Sequence, residues 1–147
     1  MKIEDFLSPA NAIIGMNAAN KARLLKELSE RAAASLHVDP EQIATEIMKR
    51  EALGSTGMGQ GIAIPHARFQ EMDKPFGVFV RLKKAIEYDA VDDKPVDLVF
   101  LLLLPPATQS DQLNALAAVA RNLREPERLQ KLRAAEDAAA LYRELTL

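Results

Sequence analysis

Glycines, hydroxyl groups and one histidine are concentrated in a short stretch of this 147-residue chain. Four of the six glycines fall within eight residues and are interleaved with two hydroxyl residues, and one of the chain's two histidines follows; in order these are Gly54, Ser55, Thr56, Gly57, Gly59, Gly61 and His66. Clustered glycines let a backbone turn sharply and point consecutive N–H groups outward, an arrangement that binds phosphate-like anions. A neutral imidazole beside such a loop is a competent nucleophile at physiological pH. The stretch therefore predicts phosphoryl chemistry on His66.

The local charge favours an anion at the same place. Between residues 49 and 68, Lys49, Arg50 and Arg68 stand against Glu51, which gives a balance of +2 in a chain whose formal net charge is −2. Arg50 lies just before the glycines, where a guanidinium could bind phosphoryl oxygens in a fork. It could also complement the carboxyl end of the helix that we predict before the glycines.

Two nucleotide-binding motifs do not fit this stretch. Gly54 and Gly59 have the spacing of a P-loop, which then requires a lysine and a hydroxyl residue. Gln60 and Gly61 occupy those two positions. The third glycine of a dinucleotide-binding turn would fall on Ile62. Spacing alone therefore leaves two interpretations, a phosphate site or a structural loop, and predicts no nucleotide cofactor.

The segment from Arg50 to His66, REALGSTGMGQGIAIPH, resembles the active-site signature of the type-2 enzyme IIA proteins. These proteins belong to the bacterial phosphoenolpyruvate-dependent phosphotransferase system, in its fructose, mannitol and nitrogen-regulatory branches. The resemblance continues through residues 76–80, 86–90, 95–100 and 113–117. It covers nearly the whole chain, so residues 1–147 are identified as one domain of this family.

The resemblance implies that Nε2 of His66 accepts the phosphoryl group while a local hydrogen bond orients the other ring nitrogen. It implies that the donor partner is a small phosphohistidine carrier protein. Arg50 would then clamp the phosphoryl oxygens. The loop would add backbone N–H groups and one hydroxyl group; these phosphate-binding residues are Ser55, Thr56, Gly57, Gly59 and Gly61.

One position departs from the family pattern. Family members usually have a second histidine at the start of the helix that we predict after Ser110, and this chain has Gln112 there. A glutamine amide can donate a hydrogen bond to a phosphoryl oxygen, but it cannot titrate or carry charge. Gln112 is therefore either a neutral phosphate contact at a helix start or a solvated polar residue. We expect His37, which lies far from the signature, to be structural or exposed.

The sequence GIAIPH at residues 61–66, in a chain with no long hydrophobic runs, looks most like the nitrogen-regulatory branch. Members of that branch signal through their phosphorylation state. An enzyme IIA for fructose or mannitol uptake is the alternative with the same fold. A regulatory binding module that is not phosphorylated is an alternative of another class, which the intact Arg50 and His66 disfavour. The sequence does not name the downstream regulatory target.

Composition limits the setting. Hydrophobic residues make up 48% of the chain and charged residues 27%, both ordinary for a globular domain. The near-neutral balance gives no reason to expect nucleic acid as a partner. The chain has no cysteine, which excludes disulfides and zinc–thiolate sites. We find neither a signal peptide nor an apolar run of membrane-spanning length, and we expect a cytoplasmic protein with no membrane insertion, metal or cofactor.

The hydrophobic pattern predicts the elements that position the site. It is typical of an α/β protein, a single compact domain with a mixed β-sheet and helices on both faces. We predict helices that begin after Asn20 and Asp39, the second ending near Gly54. Further helices are predicted from Ser110, from Pro126 and over residues 136–145, the first of them with residues 113, 116, 117, 120 and 123 inward. Strands are predicted near residues 13–14 and over 61–64, 76–82, 85–88 and 96–104, the last one central and buried on both faces.

Overall fold

The computed structural model describes residues 1–106 and 111–147, and only the backbone at residues 111–113. The strands are β1 (Ala12–Met16), β2 (Gly57–Gly59), β3 (Ile62–Ala63), β4 (His66–Arg68), β5 (Phe76–Ile86) and β6 (Val96–Leu104). The helices are α1 (Lys21–Leu36), α2 (Pro40–Ala52), α3 (Asp111–Asn122), α4 (Pro126–Ala134) and α5 (Ala138–Thr146). Within the described parts of the chain, none of the helices has both the length and the apolar character that a bilayer span requires.

The described strands form one mixed sheet in the order β1-β5-β6-β3-β2, and β4 also pairs with β6. Strand β6 is antiparallel to β5 and parallel to β3 and β4. Strand β1 runs parallel to β5 at one edge, and β2 is antiparallel to β3 at the other. The sequence prediction of a mixed sheet with residues 96–104 at its centre is confirmed.

Two short strands share one edge of β6. Strand β3 pairs with the first half of β6 and β4 with its second half, where His66 is the register partner of Leu102. Between the two strands, the carbonyl oxygen of Pro65 accepts a hydrogen bond from the Leu102 N–H at 2.9 Å. The backbone at His66 is therefore part of the sheet.

The side chains of β6 alternate between two hydrophobic cores. Val99, Leu101 and Leu103 face one core, while Leu98, Phe100 and Leu102 face the other. Helices α1 and α2 contribute to the first core, with Leu24, Leu25, Leu28, Ile43 and Ile47. Helices α3, α4 and α5 contribute to the second core, with Ala115, Val119, Leu129, Leu132, Leu141 and Leu145. Burial on both faces explains the continuous apolar run, and the predicted helices on both faces are confirmed.

The predicted starts of the first two helices are also confirmed. The Asn20 side chain accepts a hydrogen bond from the backbone N–H of Arg23 at 2.9 Å. Asp39 caps α2 in the same way, and Pro40 occupies the first helical position. Because α2 ends at Ala52, Arg50 lies in its last turn, as the sequence predicts.

Three local predictions differ from the structure. In place of the two strands predicted at 76–82 and 85–88 there is one strand, β5, which ends at Ile86 and whose pairing with β6 is interrupted by a register shift after Arg81. The short strands β2 and β4 have no counterpart in the prediction, because their residues read as a glycine loop and a turn. In α3, Ala117 is exposed while Ala115 and Val119 are buried, since the mixture of alanines and leucines does not define one face. Ser110, the predicted cap of α3, lies outside the described residues.

Candidate functional site

The glycine-rich stretch folds as a tight hairpin between β2 and β3. Gln60 and its neighbours Gly59 and Gly61 all have positive φ angles, of 59°, 96° and 80°. Glycine adopts this conformation without steric cost. At Gly57 the requirement is space, because a Cβ atom there would lie 2.8 Å from the Cα atom of Ala90.

Contacts from two other segments fix the hairpin turn. Arg133 forms a bidentate ion pair with Asp97, with Nε–Oδ2 and Nη2–Oδ1 distances of 3.0 and 2.9 Å. The same guanidinium donates to the carbonyl oxygen of Gln60 at 2.7 Å. On the other side, Asp92 accepts from the backbone N–H of Gln60 at 3.0 Å. The turn is therefore held by charge-assisted hydrogen bonds.

His66 is the first residue of β4, and its side chain is partly buried. Its Nδ1 atom lies 2.8 Å from the carbonyl oxygen of Ile64. A carbonyl oxygen can only accept, so Nδ1 carries the proton in this hydrogen bond. In the neutral ring the lone pair is then on Nε2, which is the nitrogen available as a nucleophile.

The surroundings of His66 keep this ring neutral. Burial is the largest influence and lowers the pKa of His66 below its ordinary value. The Ile64 carbonyl and the Glu51 carboxylate oppose this shift, while the guanidinium groups of Arg50 and Arg68 add to it. The net result is a pKa of His66 below about 6.5, so the neutral nucleophilic form predominates at pH 7.

Arg50 and His66 lie on one cavity. Its volume is about 380 Å³, and its lining residues are Glu46, Lys49, Arg50, Leu53, His66, Ala67, Arg68, Leu104 and Leu116. Among the described residues, three cationic side chains and one carboxylate line this cavity together with His66. The excess of positive charge is the property that an anionic group transferred to the ring requires.

The Arg50 side chain is anchored at the end of α2. One of its terminal nitrogens, Nη1, donates to the carbonyl oxygen of Gly54 at 2.9 Å. This contact complements the helix carboxyl end, as one interpretation of the sequence has it. A guanidinium has five N–H donors, so a fork directed at a phosphoryl group is compatible with this contact.

The sequence analysis missed a buried carboxylate behind the site, Glu51. Its side chain is 4% exposed and pairs with the Lys21 ammonium at 2.9 Å. It accepts hydrogen bonds from the Tyr88 hydroxyl at 3.2 Å, from the Thr56 N–H at 3.2 Å and from the Thr56 hydroxyl. Burial, followed by the Glu51 carboxylate, raises the pKa of Tyr88 well above its ordinary value, so its hydroxyl remains a donor.

The burial of Glu51 is predictable from the helical period of α2. Ile43 and Ile47 mark the buried face of α2, and Glu51 continues the same four-residue spacing. A carboxylate on a buried face needs partners, because an isolated ionised group in an apolar interior is very costly. Thr56 is one of those partners and is itself only 6% exposed.

The predicted phosphate-binding residues of the loop, Ser55, Thr56, Gly57, Gly59 and Gly61, are not among the described residues that line the cavity with His66. The Ser55 hydroxyl donates to the carbonyl oxygen of Tyr88 at 2.9 Å and accepts from the N–H of Gly57 at 3.0 Å. Phosphate contacts at Ser55, Thr56, Gly57, Gly59 and Gly61 stay a prediction. Gln112 lies in the first turn of α3, and its side chain is outside the described residues. His37, which ends α1 with a φ angle of 58°, is exposed.

Comparison with known protein families agrees with this geometry. The family model described as "Phosphoenolpyruvate-dependent sugar phosphotransferase system, EIIA 2" matches residues 5–146. The chain is 40% identical to a nitrogen regulatory protein of Bradyrhizobium diazoefficiens over 147 residues, covering 100% of this chain and 96% of the relative. It is 41% identical to a nitrogen regulatory protein of Escherichia coli over 128 residues, covering 86% of this chain and 78% of the relative.

A solved structure has the same fold. The crystal structure of the nitrogen regulatory protein IIA-Ntr from Neisseria meningitidis superposes with a TM-score of 0.92 at 30% sequence identity. The superposition covers 98% of this chain and 99% of the other. The arrangement of mixed sheet and helices is therefore shared over the whole described fold.

Proposed function

Since this chain belongs to the type-2 EIIA family of the phosphoenolpyruvate-dependent phosphotransferase system, we propose that it carries a phosphoryl group on Nε2 of His66 and acts as a regulatory component of the nitrogen branch. The observation that carries this proposal is the bond from Nδ1 of His66 to the Ile64 carbonyl. It leaves Nε2 as the nucleophile of a neutral ring, on the same cavity as Arg50.

The transfer itself needs no base and no metal. The Nε2 lone pair of His66 attacks the phosphorus atom of a phosphohistidine on the donor protein. A nitrogen–phosphorus bond forms on His66 while the corresponding bond on the donor breaks, and the donor imidazole keeps the electron pair. Phosphoryl transfer of this kind asks the protein mainly for positioning and for neutralisation of charge.

Arg50 supplies that neutralisation in our proposal. A phosphoryl group brings a charge of roughly −1.5 to −2, by analogy with phosphorylated hydroxyl residues. Arg50 can bind two phosphoryl oxygens through a planar fork while Nη1 keeps its bond to Gly54. Lys49 and Arg68, on the same cavity, add positive charge around the product.

The donor in this proposal is a small phosphohistidine carrier protein. Leu53, which lines the cavity that contains His66, is 85% exposed just after the end of α2, and Leu104 and Leu116 add further apolar lining. Exposed apolar side chains around a polar centre are typical of surfaces that dock another protein. The downstream targets are proteins that distinguish the phosphorylated from the unphosphorylated form.

A direct test is incubation of the protein with phosphoenolpyruvate, enzyme I and the carrier proteins of the nitrogen and the sugar branches, followed by intact mass measurement. We expect one phosphoryl group, acid-labile and alkali-stable, transferred faster by the nitrogen-branch carrier. The His66→Ala variant should accept none. Faster transfer from the sugar-branch carrier would favour an enzyme IIA for fructose or mannitol uptake. No transfer from either carrier would favour a binding module that is not phosphorylated.

A further inference from the structure

The Glu51 carboxylate binds donors from three separate segments of the chain. Lys21 lies at the start of α1, Thr56 lies just before β2, and Tyr88 follows β5. All three donate to the one carboxylate. The Lys21 ammonium also lies 4.4 Å from the centre of the Tyr88 ring, a cation–π contact. Glu51 therefore fixes the position of Thr56 relative to the end of α2.

A continuous series of hydrogen bonds runs from this carboxylate to His66. The Thr56 N–H donates to Glu51, and the Thr56 carbonyl accepts from the N–H of Ile64 at 3.1 Å. The Ile64 carbonyl in turn accepts from Nδ1 of His66 at 2.8 Å. The N–H and carbonyl groups of Thr56, like those of Ile64, lie in adjacent peptide units joined at one Cα atom. The series therefore connects Glu51 to His66 through the position of the backbone.

We propose that Glu51 is a positioning residue for His66. By fixing Thr56 it fixes the Ile64 carbonyl against Nδ1, and so holds the imidazole in the tautomer whose free nitrogen is Nε2. Glu51 also follows Arg50 directly in α2. The bonds that Glu51 makes therefore fix both the backbone of Arg50 and the ring of His66. The effect on the transfer rate rests on the proposed function, whereas the effect on the tautomer does not.

The carboxylate suits this role better than an amide would. One carboxylate oxygen accepts from the Thr56 and Tyr88 hydroxyls, and the other accepts from the Thr56 N–H and Lys21. In a glutamine, the amide oxygen can keep the contacts with the Thr56 N–H and Lys21 only when the NH₂ group faces the Thr56 and Tyr88 hydroxyls. Those hydroxyls must then accept where they now donate, and the negative charge that pairs with Lys21 is lost. Buried ion pairs contribute little net stability compared with apolar residues of the same volume, so we assign Glu51 to orientation and not to stability alone.

The test compares Glu51→Gln with Glu41→Gln, the same chemical change at an exposed position of the same helix. Nitrogen-15 NMR of the unphosphorylated proteins measures which ring nitrogen of His66 carries the proton. We expect the wild type and Glu41→Gln to show Nδ1 protonated, and Glu51→Gln to show a mixture of the two tautomers. The rate of phosphoryl transfer from the phosphorylated carrier protein should fall in Glu51→Gln by up to about 100-fold, the loss expected when the reacting ring is displaced by about 1 Å.

A second pair keeps the test decisive if Glu51→Gln does not fold. Thr56→Val removes the hydroxyl that donates to Glu51 and contacts the Tyr88 hydroxyl, and it keeps the Thr56 N–H. Thr45→Val is its control at an exposed position of α2. We expect the same tautomer change in Thr56→Val, smaller in extent. A folded Glu51→Gln or Thr56→Val protein with the wild-type tautomer overturns the proposal, even where its transfer rate has fallen. A wild-type protein that accepts no phosphoryl group would overturn the proposed function and leave the tautomer comparison valid.

Discussion

Nδ1 of His66 lies 2.8 Å from the carbonyl oxygen of Ile64, two residues earlier, with Pro65 between them. Proline restricts the residue before it to extended conformations, which limits the directions that the Ile64 carbonyl can take. These three consecutive residues therefore restrict the orientation of the imidazole, and the hydrogen bond from the Ile64 N–H to the Thr56 carbonyl positions them further. The packing of β3 and β4 against β6 then holds those residues in place.

The first prediction concerns the titration of His66. Its pKa is lowered mainly by burial, so protonation and loss of the nucleophile occur only below the ordinary value of about 6.5. In the part of the chain that the structure describes, the charged groups near the ring or on its cavity are Arg50, Arg68, Lys49, Glu46 and Glu51. We expect the His66 ring signals to titrate at lower pH in the folded protein than in an unfolded peptide of residues 60–72. Equal midpoints, measured by NMR, would contradict the lowered pKa.

The same shift makes folding stability depend on pH. Because the pKa of His66 is lower in the folded chain, the unfolded chain binds more protons just below pH 6.5. The contribution of His66 to stability is therefore fully present above about pH 6.5 and is lost as the pH falls toward the folded pKa. Urea denaturation at pH 7.5 and 5.5 should show a smaller loss on acidification in His66→Gln than in the wild type. A loss of the same size in both proteins would exclude this linkage.

The next prediction concerns Arg50. We expect Arg50→Lys to slow phosphoryl transfer, because an ammonium cannot reproduce the planar fork of a guanidinium. Stability should change by no more than about 0.3–1 kcal/mol, the value of a cation near a helix carboxyl end. The measurements are the transfer rate and urea denaturation, with Arg23→Lys on the exposed side of α1 as the matched control. Equal rates in Arg50→Lys and the wild type would remove Arg50 from the site.

Gln112 provides a test of the departure from the family pattern. If its amide is a neutral donor to the phosphoryl group, Gln112→His should add a titration near the ordinary histidine value of about 6.5, shifted by the neighbouring phosphoryl charge. We would compare the transfer rates of the two proteins from pH 5.5 to 8.5. Superimposable profiles would mean that position 112 is a solvated residue beyond the electrostatic reach of the phosphoryl group.

The geometry of the hairpin turn predicts that alanine substitution costs more stability at Gly61 than at Gly15. Gly15 and Gly61 have nearly the same φ angles, 79° and 80°, but a Cβ atom at Gly15 would meet nothing within 4 Å. At Gly61 it would lie 2.5 Å from Nη2 of Arg133 and 2.9 Å from Asp97. Backbone strain of about 1–3 kcal/mol is common to both alanine variants. Gly61→Ala should therefore lose more stability in urea denaturation than Gly15→Ala, and equal losses would show that the ion pair moves aside at no cost.

Several elements are predictable from sequence because one dominant interaction defines them. Asn20 and Asp39 are strong N-caps. The apolar run of β6 indicates a strand that is buried on both faces of a sheet. The face of α3 is not predictable, because its alanines, at positions 115, 117, 118 and 120, give little contrast between its sides. Strand β2 is missed because its two glycines are disfavoured in strands, whereas here one of them, Gly57, allows the close approach of Ala90.

The candidate site divides in the same way. His66 and Arg50 are identifiable from residue type, spacing and family resemblance, and the structure places both on one cavity. The bonds among Glu51, Thr56 and Tyr88 join positions up to 37 residues apart, and their pairing depends on tertiary structure that local pattern does not encode. The hydroxyl groups of Ser55 and Thr56 look alike in sequence, but one donates to a backbone carbonyl and the other to a buried carboxylate.

The pairing of β4 with the central strand determines how phosphorylation of His66 can change the surface of this protein. His66 is joined to β6 through its own register partner and through the preceding carbonyl group. A segment locked in this way has little freedom to move when the ring is modified, in contrast to the loops that reorder in many molecular switches. The two forms of the protein would then share one backbone shape and differ in the electric field at the mouth of the cavity. A receiver must therefore measure charge there, so salt concentration should tune how well it tells the two forms apart.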